Sequence, residues 1–168
     1  KFEGGYHGNH DYSSQSITPR AVSNYPSGQP DSGGIPEAVQ PTVLVAPYNN
    51  LEIVRRLVEE HRGELAAVIV EPIQRIIMPQ PGFLEGLRKI CDDNEVLLIF
   101  DEVVTGFRLA WGGAQEYFGV LPDLASYGKI VGGGRSLSAI AGRADIIDVA
   151  DPANRGKSDY AYINGTFH

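Results

Sequence analysis

The chain has 168 residues, 42% of them apolar and 21% charged, and a formal net charge of −7. That length suits one domain, and the acidic balance argues against nucleic acid or an anionic membrane surface as the main partner, since both reward basic patches. The single cysteine, Cys91, excludes an internal disulfide and fits a reducing cytoplasm, and no apolar run approaches the ~18 residues of a membrane span.

The opening string KFEGGYHG reads as the end of a strand running into a Gly-rich turn, and it lacks the apolar core of a signal peptide. With no starting methionine, and with NGTFH ending in mid-pattern, the sequence reads as an internal piece of a longer protein. Residues 13–41 are rich in Ser, Pro, Gly and Gln and have almost no apolar periodicity. Such segments serve as functional lids or linkers, so residues 13–35 are expected to form a mobile loop that gates a site, with a passive loop as the alternative.

Strands and helices then alternate. VLVAPYN (43–49) predicts a short buried strand. Asn49 or Asn50 caps the helix that follows, in which Leu51, Val54, Leu57 and Val58 share a face, and Gly63 stops it. LAAVIVEP (65–72) is a continuous apolar run, the pattern of a strand covered on both faces. GFLEGLRKICDDN (82–94) predicts an amphipathic helix with Leu84, Leu87, Ile90 and Cys91 inward, and VLLIFDEV (96–103) another buried strand. YFGVLPDLASYGK (117–129) turns through Pro122 into a further strand; LSAIAGR (137–143) is a last strand and ADIIDVA (144–150) a helix. The alternation implies an α/β fold, a mostly parallel sheet with flanking helices. Ligands of open α/β sheets bind beyond the carboxyl ends of the strands.

Three ionisable residues stand at those ends: Glu71 after VIV, Asp101 after LLIF, and Lys129 after LASYG. A carboxylate beside a buried run needs a cation next to it, and a protonated ring nitrogen would serve. A lysine forming a Schiff base, with an acid partner for a pyridinium nitrogen, is the protein's share of pyridoxal phosphate chemistry. The glycines Gly132, Gly133 and Gly134 would let the backbone approach a cofactor and the lysine swing. The plain alternatives are a structural ion pair at Asp101-Glu102 and a solvated surface lysine. The triple glycine is not G-x-G-x-x-G, so a dinucleotide site is a poor match. His7 and His10 are three apart, but no further Cys/His cluster supports a metal.

VEP at 70–72, IFDEVVTGFR at 99–108 and DLASYGKIVGGG at 123–134 resemble the class III, fold type I aminotransferases that use pyridoxal 5'-phosphate. The resemblance runs from KFEGGYHG to NGTFH. GGAQEYFGVLPDL at 112–124 and AGR at 141–143 resemble the glutamate-1-semialdehyde 2,1-aminomutase branch. It implies the central part of a fold type I large domain, residues 1–168, without the N-terminal phosphate-binding segment and the C-terminal small domain. It implies amino-group transfer on an amino or oxo acid, by transaminase or aminomutase chemistry, in a cytoplasmic homodimer.

Residue by residue, the resemblance puts Lys129 at the Schiff-base position and Asp101 against the pyridine nitrogen. Val103 packs on one ring face and Tyr6 stacks on the other, with Glu102 orienting neighbouring groups. His7 helps shape the pocket, Glu71 lies at its floor, and Thr166 reaches the cofactor phosphate of a partner subunit. Each has a plainer reading, from turn aromatic to core valine to routine loop residue. Two stretches depart from the family: GGGRSLS has Arg135 and Ser136 where a proline is usual, and Arg75 to Met78 are bulkier than the small residues of the aminomutase branch. Two readings stand beside the main one: an ω-amino acid or diamine transaminase of the same class, and a non-catalytic fragment kept as a scaffold or binding module.

Overall fold

The computed structural model describes residues 1–162. In chain order it contains helix α1 (Leu51–Glu60), strand β1 (Ala67–Val70), helix α2 (Phe83–Asn94), strand β2 (Leu97–Asp101), helix α3 (Gly113–Phe118), strand β3 (Leu124–Tyr127), strand β4 (Ala139–Gly142) and helix α4 (Ala144–Ile147). The sheet has four strands in the order β1-β2-β3-β4; β1, β2 and β3 run parallel and β4 is antiparallel to β3. The expected fold class, a mostly parallel α/β sheet with flanking helices, is the observed one.

The core follows from two periodicities. Val54, Leu57 and Val58 on α1, and Leu84, Leu87, Ile90 and Cys91 on α2, recur at helical spacing and are buried. Val68 and Val70 on β1, and Leu98 and Phe100 on β2, alternate along their strands and join the same cluster. Fully burying such a side chain contributes about 1.5–3 kcal/mol. On the opposite sheet face Ala67, Ile69, Leu97 and Ile99 are only half-buried. Asn50 caps α1 by accepting from the Ile53 N–H at 3.1 Å, and α1 ends at Glu60, three residues before the expected stop at Gly63.

One expectation is corrected, and one element appears that the sequence did not suggest. Residues 43–49 form no strand. Leu44 and Ala46 make only isolated bridges, to Ser27 and Phe2, because single loop residues flank them and offer no ladder to extend. Pro47 has no N–H to continue one. Tyr48 instead packs edge-on against Phe2 and Phe83 and donates its hydroxyl to the Pro72 carbonyl at 2.8 Å, fixing the chain just after β1. Helix α3 was not foreseen, because it is one short turn opened by glycines and carries no apolar period.

Residues 13–39 contain no helix or strand, and a 3-10 turn follows at Gln40–Thr42. Their path is set by side-chain carboxylates. Asp31 accepts from the Ile17 and Thr18 N–H groups, and Glu3 accepts from the Ser23 N–H and the Tyr25 hydroxyl.

The antiparallel strand is tied on by one aspartate. Asp123 is buried and accepts from Leu98 N–H at 2.7 Å, Arg88 at 2.8 Å and Arg143 at 3.0 Å, so it joins β2, α2 and the end of β4. Burial alone would raise its pKa, but these donors outweigh it and hold the carboxyl below the ordinary carboxylate range. Asp123→Ala leaves the buried Leu98 N–H without its acceptor and cuts the link between Arg88 and Arg143, which keep Asp92 and Asp145 as their remaining carboxylate partners. We expect about 2 kcal/mol of lost stability, read as a lower urea midpoint for the full-length protein; an unchanged midpoint would show that the clamp carries no load.

Candidate functional site

Parallel strands in register put their carboxyl ends on one edge. Val70 pairs with Phe100 and Asp101 with Ser126. Glu71 directly follows β1, Asp101 is the last residue of β2, and Lys129 follows β3 after a single glycine. A cavity of about 370 Å³ opens at this edge, and its lining includes Tyr6, His7, Glu71, Asp101, Val103 and Lys129. These six residues, all singled out from the sequence, therefore converge on one space; Glu102 does not join them. Thr166 lies outside the described residues.

Asp101 is the electrostatic centre. Its side chain is 9% exposed and that of His7 5%. His7 Nδ1 lies 2.7 Å from Asp101 Oδ2; Oδ1 accepts from the Val103 N–H at 3.2 Å and the Ser126 hydroxyl at 3.1 Å. Burial alone would push the Asp101 pKa up, but the His7 contact, the Val103 N–H and the Ser126 hydroxyl together pull it below its ordinary value. An ionised carboxylate only accepts, so Nδ1 of His7 carries the proton. His7 Nε2 is buried without a partner among the described residues. A carboxylate offers about four lone-pair sites. Three are used, which leaves room for one further donor from the cavity.

The loop that carries Tyr6 and His7 is held from below. Glu71 is buried and accepts from the Tyr6 N–H at 2.7 Å and the Arg75 N–H at 3.4 Å. Tyr6 as a whole residue remains 40% exposed, and it lines the cavity. Glu102, beside Asp101, points away from the cavity. It is fully buried and accepts from the Thr105 hydroxyl, the Ala114 and Gln115 N–H groups and the Gln115 side chain. It therefore fixes the 102–115 loop, and a Cβ at Gly113 would collide with it.

Lys129 is exposed and adopts φ 49, a left-handed conformation that costs a non-glycine residue strain of order 1–3 kcal/mol. Gly128 is closely packed, since a Cβ there would stand 3.3 Å from the Val103 side chain. Gly133 and Gly134 face open space; what they supply is positive φ, at 54 and 92, beyond the 3-10 turn Lys129–Gly132. Four contributors were missed from the sequence: Ser126, Gly128, and Gln74 and Arg75, which together grip the Gly4 loop. Ser126 was the most findable, since strand alternation puts it beside Asp101. A larger cavity of about 430 Å³ lies between residues 42–46 and β1. It is mostly apolar and has neither Asp101 nor Lys129 in its wall, so the smaller cavity is the chemical candidate.

The model of the family described as Aminotransferase class-III matches residues 1–161. A glutamate-1-semialdehyde 2,1-aminomutase from Methanosarcina acetivorans is 49% identical over 99% of this chain and 38% of its own length. Among solved structures, an omega-transaminase from Sphaerobacter thermophilus superposes with TM-score 0.87 at 40% identity, over 99% of this chain and 39% of that one. A transaminase with PLP bound does so with TM-score 0.84 at 28% identity, over 97% and 38%. The chain thus spans about two-fifths of the length of the relatives it matches.

The lowered Asp101 pKa carries a sign. Its stabilisation is present above the unfolded value of about 3.9 and is lost as pH falls through the folded value. Asp101→Asn removes that component, so the full-length variant should show a shallower loss of stability below about pH 4, by up to one proton. Urea midpoints measured across that range test this; superimposable acid limbs would refute it.

Proposed function

Because the chain belongs to the class-III aminotransferase family, we propose that this cavity is the ring end of a pyridoxal 5'-phosphate site in a large domain of which residues 1–168 are a part. The whole protein is then an enzyme that transfers amino groups on amino and oxo acids, as a transaminase or a 2,1-aminomutase. The observation that carries the reading is Asp101: a buried, ionised carboxylate with one lone-pair site left toward a cavity that also has Lys129 in its wall. A free lone-pair site on a buried, ionised carboxylate fits a protonated pyridine nitrogen, and the aromatic and apolar side chains of Tyr6 and Val103 in the same lining suit the faces of a ring.

Asp101 would hold the ring nitrogen protonated, with His7 fixing the carboxylate's orientation. Tyr6 and Val103 would flank the ring, and Glu71 would set the Tyr6 loop. The cofactor, when bound, supplies a conjugated cation that accepts an electron pair from the substrate carbon. Lys129 Nζ would hold the cofactor aldehyde and, once released, carry a proton to and from that carbon. Thr166 would reach the phosphate of a partner subunit in a homodimer. Exposed apolar side chains support such a partner surface: Trp111 is 86% exposed and packs edge-on against Phe107, itself part of a cluster with Tyr127.

A transaminase for ω-amino acids or diamines is the second reading, supported by the likeness to the Sphaerobacter thermophilus omega-transaminase. The working compartment is the cytoplasm, a reading supported by the single cysteine, buried and free, which fits a reducing environment. Among the described residues no helix is long and apolar enough to cross a membrane.

Borohydride reduction of the full-length protein with pyridoxal phosphate should fix the cofactor to the chain in wild type and not in Lys129→Ala. Cofactor fixed at another lysine in the variant would overturn the assignment. Asp101→Asn, which keeps the size and removes the charge, should lower turnover by a factor on the order of 10² or more; steady-state assay of the full-length protein decides it.

A further inference from the structure

The turn after β1 carries an arginine that the proposed chemistry leaves unused. Gln74 and Ile77 close this turn by exchanging backbone hydrogen bonds of 3.1 and 2.8 Å. Arg75 sits inside it at φ 61, a left-handed conformation uncommon for a residue with a side chain. The turn is anchored on the Tyr6 loop twice: Gln74 Nε2 donates to the Glu3 carbonyl at 2.6 Å and Arg75 Nε to the Gly4 carbonyl at 3.2 Å. These bonds aim the guanidinium. Its carbon lies 6.0 Å from the Tyr6 ring centroid, within cation–π range, and Arg75 is part of the cavity lining.

Among the described residues two cations of the lining have no carboxylate partner, Lys129, which the proposed chemistry uses, and Arg75, which it does not. Asp101 is committed to His7, Val103 and Ser126, and Glu71 to backbone N–H groups. Arg75 spends Nε on Gly4. Among the described residues no acceptor bonds its Nη1 or Nη2, and no carboxylate forms an ion pair with it. A guanidinium is always charged and presents its donors as a planar fork matched to the two oxygens of a carboxylate. Arg75 is exposed while lining the cavity, so its fork is accessible from solvent.

We infer that Arg75 is the carboxylate-binding, specificity-determining residue of the pocket, and that its ligand is the carboxylate of the amino or oxo acid. The inference rests on the proposed transfer reading for the identity of that acid. The other anion at hand is the cofactor phosphate, which needs several converging N–H donors rather than one fork.

The test uses full-length protein with hexanoate as the carboxylate probe, titrated calorimetrically into wild type, Arg75→Ala and Arg75→Gln. Pyridoxal phosphate is titrated in parallel by absorbance. Hexanoate affinity should fall at least ~10-fold in both variants, about 1.4 kcal/mol, while pyridoxal phosphate affinity stays within about twofold, under 0.5 kcal/mol by the same relation. Arg75→Gln keeps a side-chain donor for the Gly4 carbonyl, so a loss confined to Arg75→Ala would mean loop collapse and overturn the inference. Unchanged hexanoate affinity in the variants, or no binding by wild type, overturns it as well. Equal loss of pyridoxal phosphate would assign the arginine to the phosphate instead. Arg75-dependent hexanoate binding in a protein with no transfer activity would uphold this inference and defeat the transfer reading.

Discussion

A carboxylate enclosed at the end of a central strand stays charged only if the protein supplies donors in place of water. Asp101 has three: the imidazole of His7, the Val103 N–H and the Ser126 hydroxyl. They come from three places in the chain. Ser126 arrives through the β2–β3 register, Val103 through the sharp turn after β2, and His7 from the Gly-rich turn nearly a hundred residues earlier. Shifting any of them would leave a buried charge short of a partner. The geometry of the cavity edge is therefore tied at once to the sheet, through Ser126, and to the two turns that carry Val103 and His7.

The neighbouring carboxylate works the other way. Glu102 faces inward and collects backbone N–H groups at the start of α3, which folds the 102–115 loop under the sheet edge. That loop brings Gln115 to the Tyr127 hydroxyl at 2.6 Å, bracing the strand that leads to Lys129. Adjacent acids thus divide the labour: Asp101 keeps its charge toward the cavity, and Glu102 uses its charge on structure. The strained backbone at Lys129 sits between these supports, and rigid surroundings are what allow such a conformation to persist.

The loop around Tyr6 is the other half of the frame. It has no regular secondary structure of its own, so its position depends on Glu71, Gln74 and Arg75 at the end of β1. The same short turn therefore carries the support of the aromatic ring and the unmatched guanidinium. Gln74 and Glu71 hold the Tyr6 loop independently of the free Nη groups of Arg75, so the support of the ring and the exposed fork are separable within one turn.

Much of this was readable in the amino-acid order because it depends on local pattern. The apolar periods of α1 and α2, the alternation along β1 and β2, and the ionisable residues at strand ends need only the 3.6 and 2.0 repeats of helix and strand. The parallel sheet and the convergence of Glu71, Asp101 and Lys129 on one edge follow from them. Other features were beyond reach because they depend on what each segment meets. Residues 43–49 have the composition of a strand but find only single residues to pair with. Helix α3 is held by a distant buried carboxylate rather than by its own sequence. The role of Arg75 depends on a carbonyl at Gly4 and a ring at Tyr6, some seventy positions away, that aim its guanidinium while leaving its Nη groups unspent. Local periodicity is a property of neighbours along the chain, whereas the aim of a side chain and the satisfaction of a charge are set by neighbours in space, and only the folded structure supplies those.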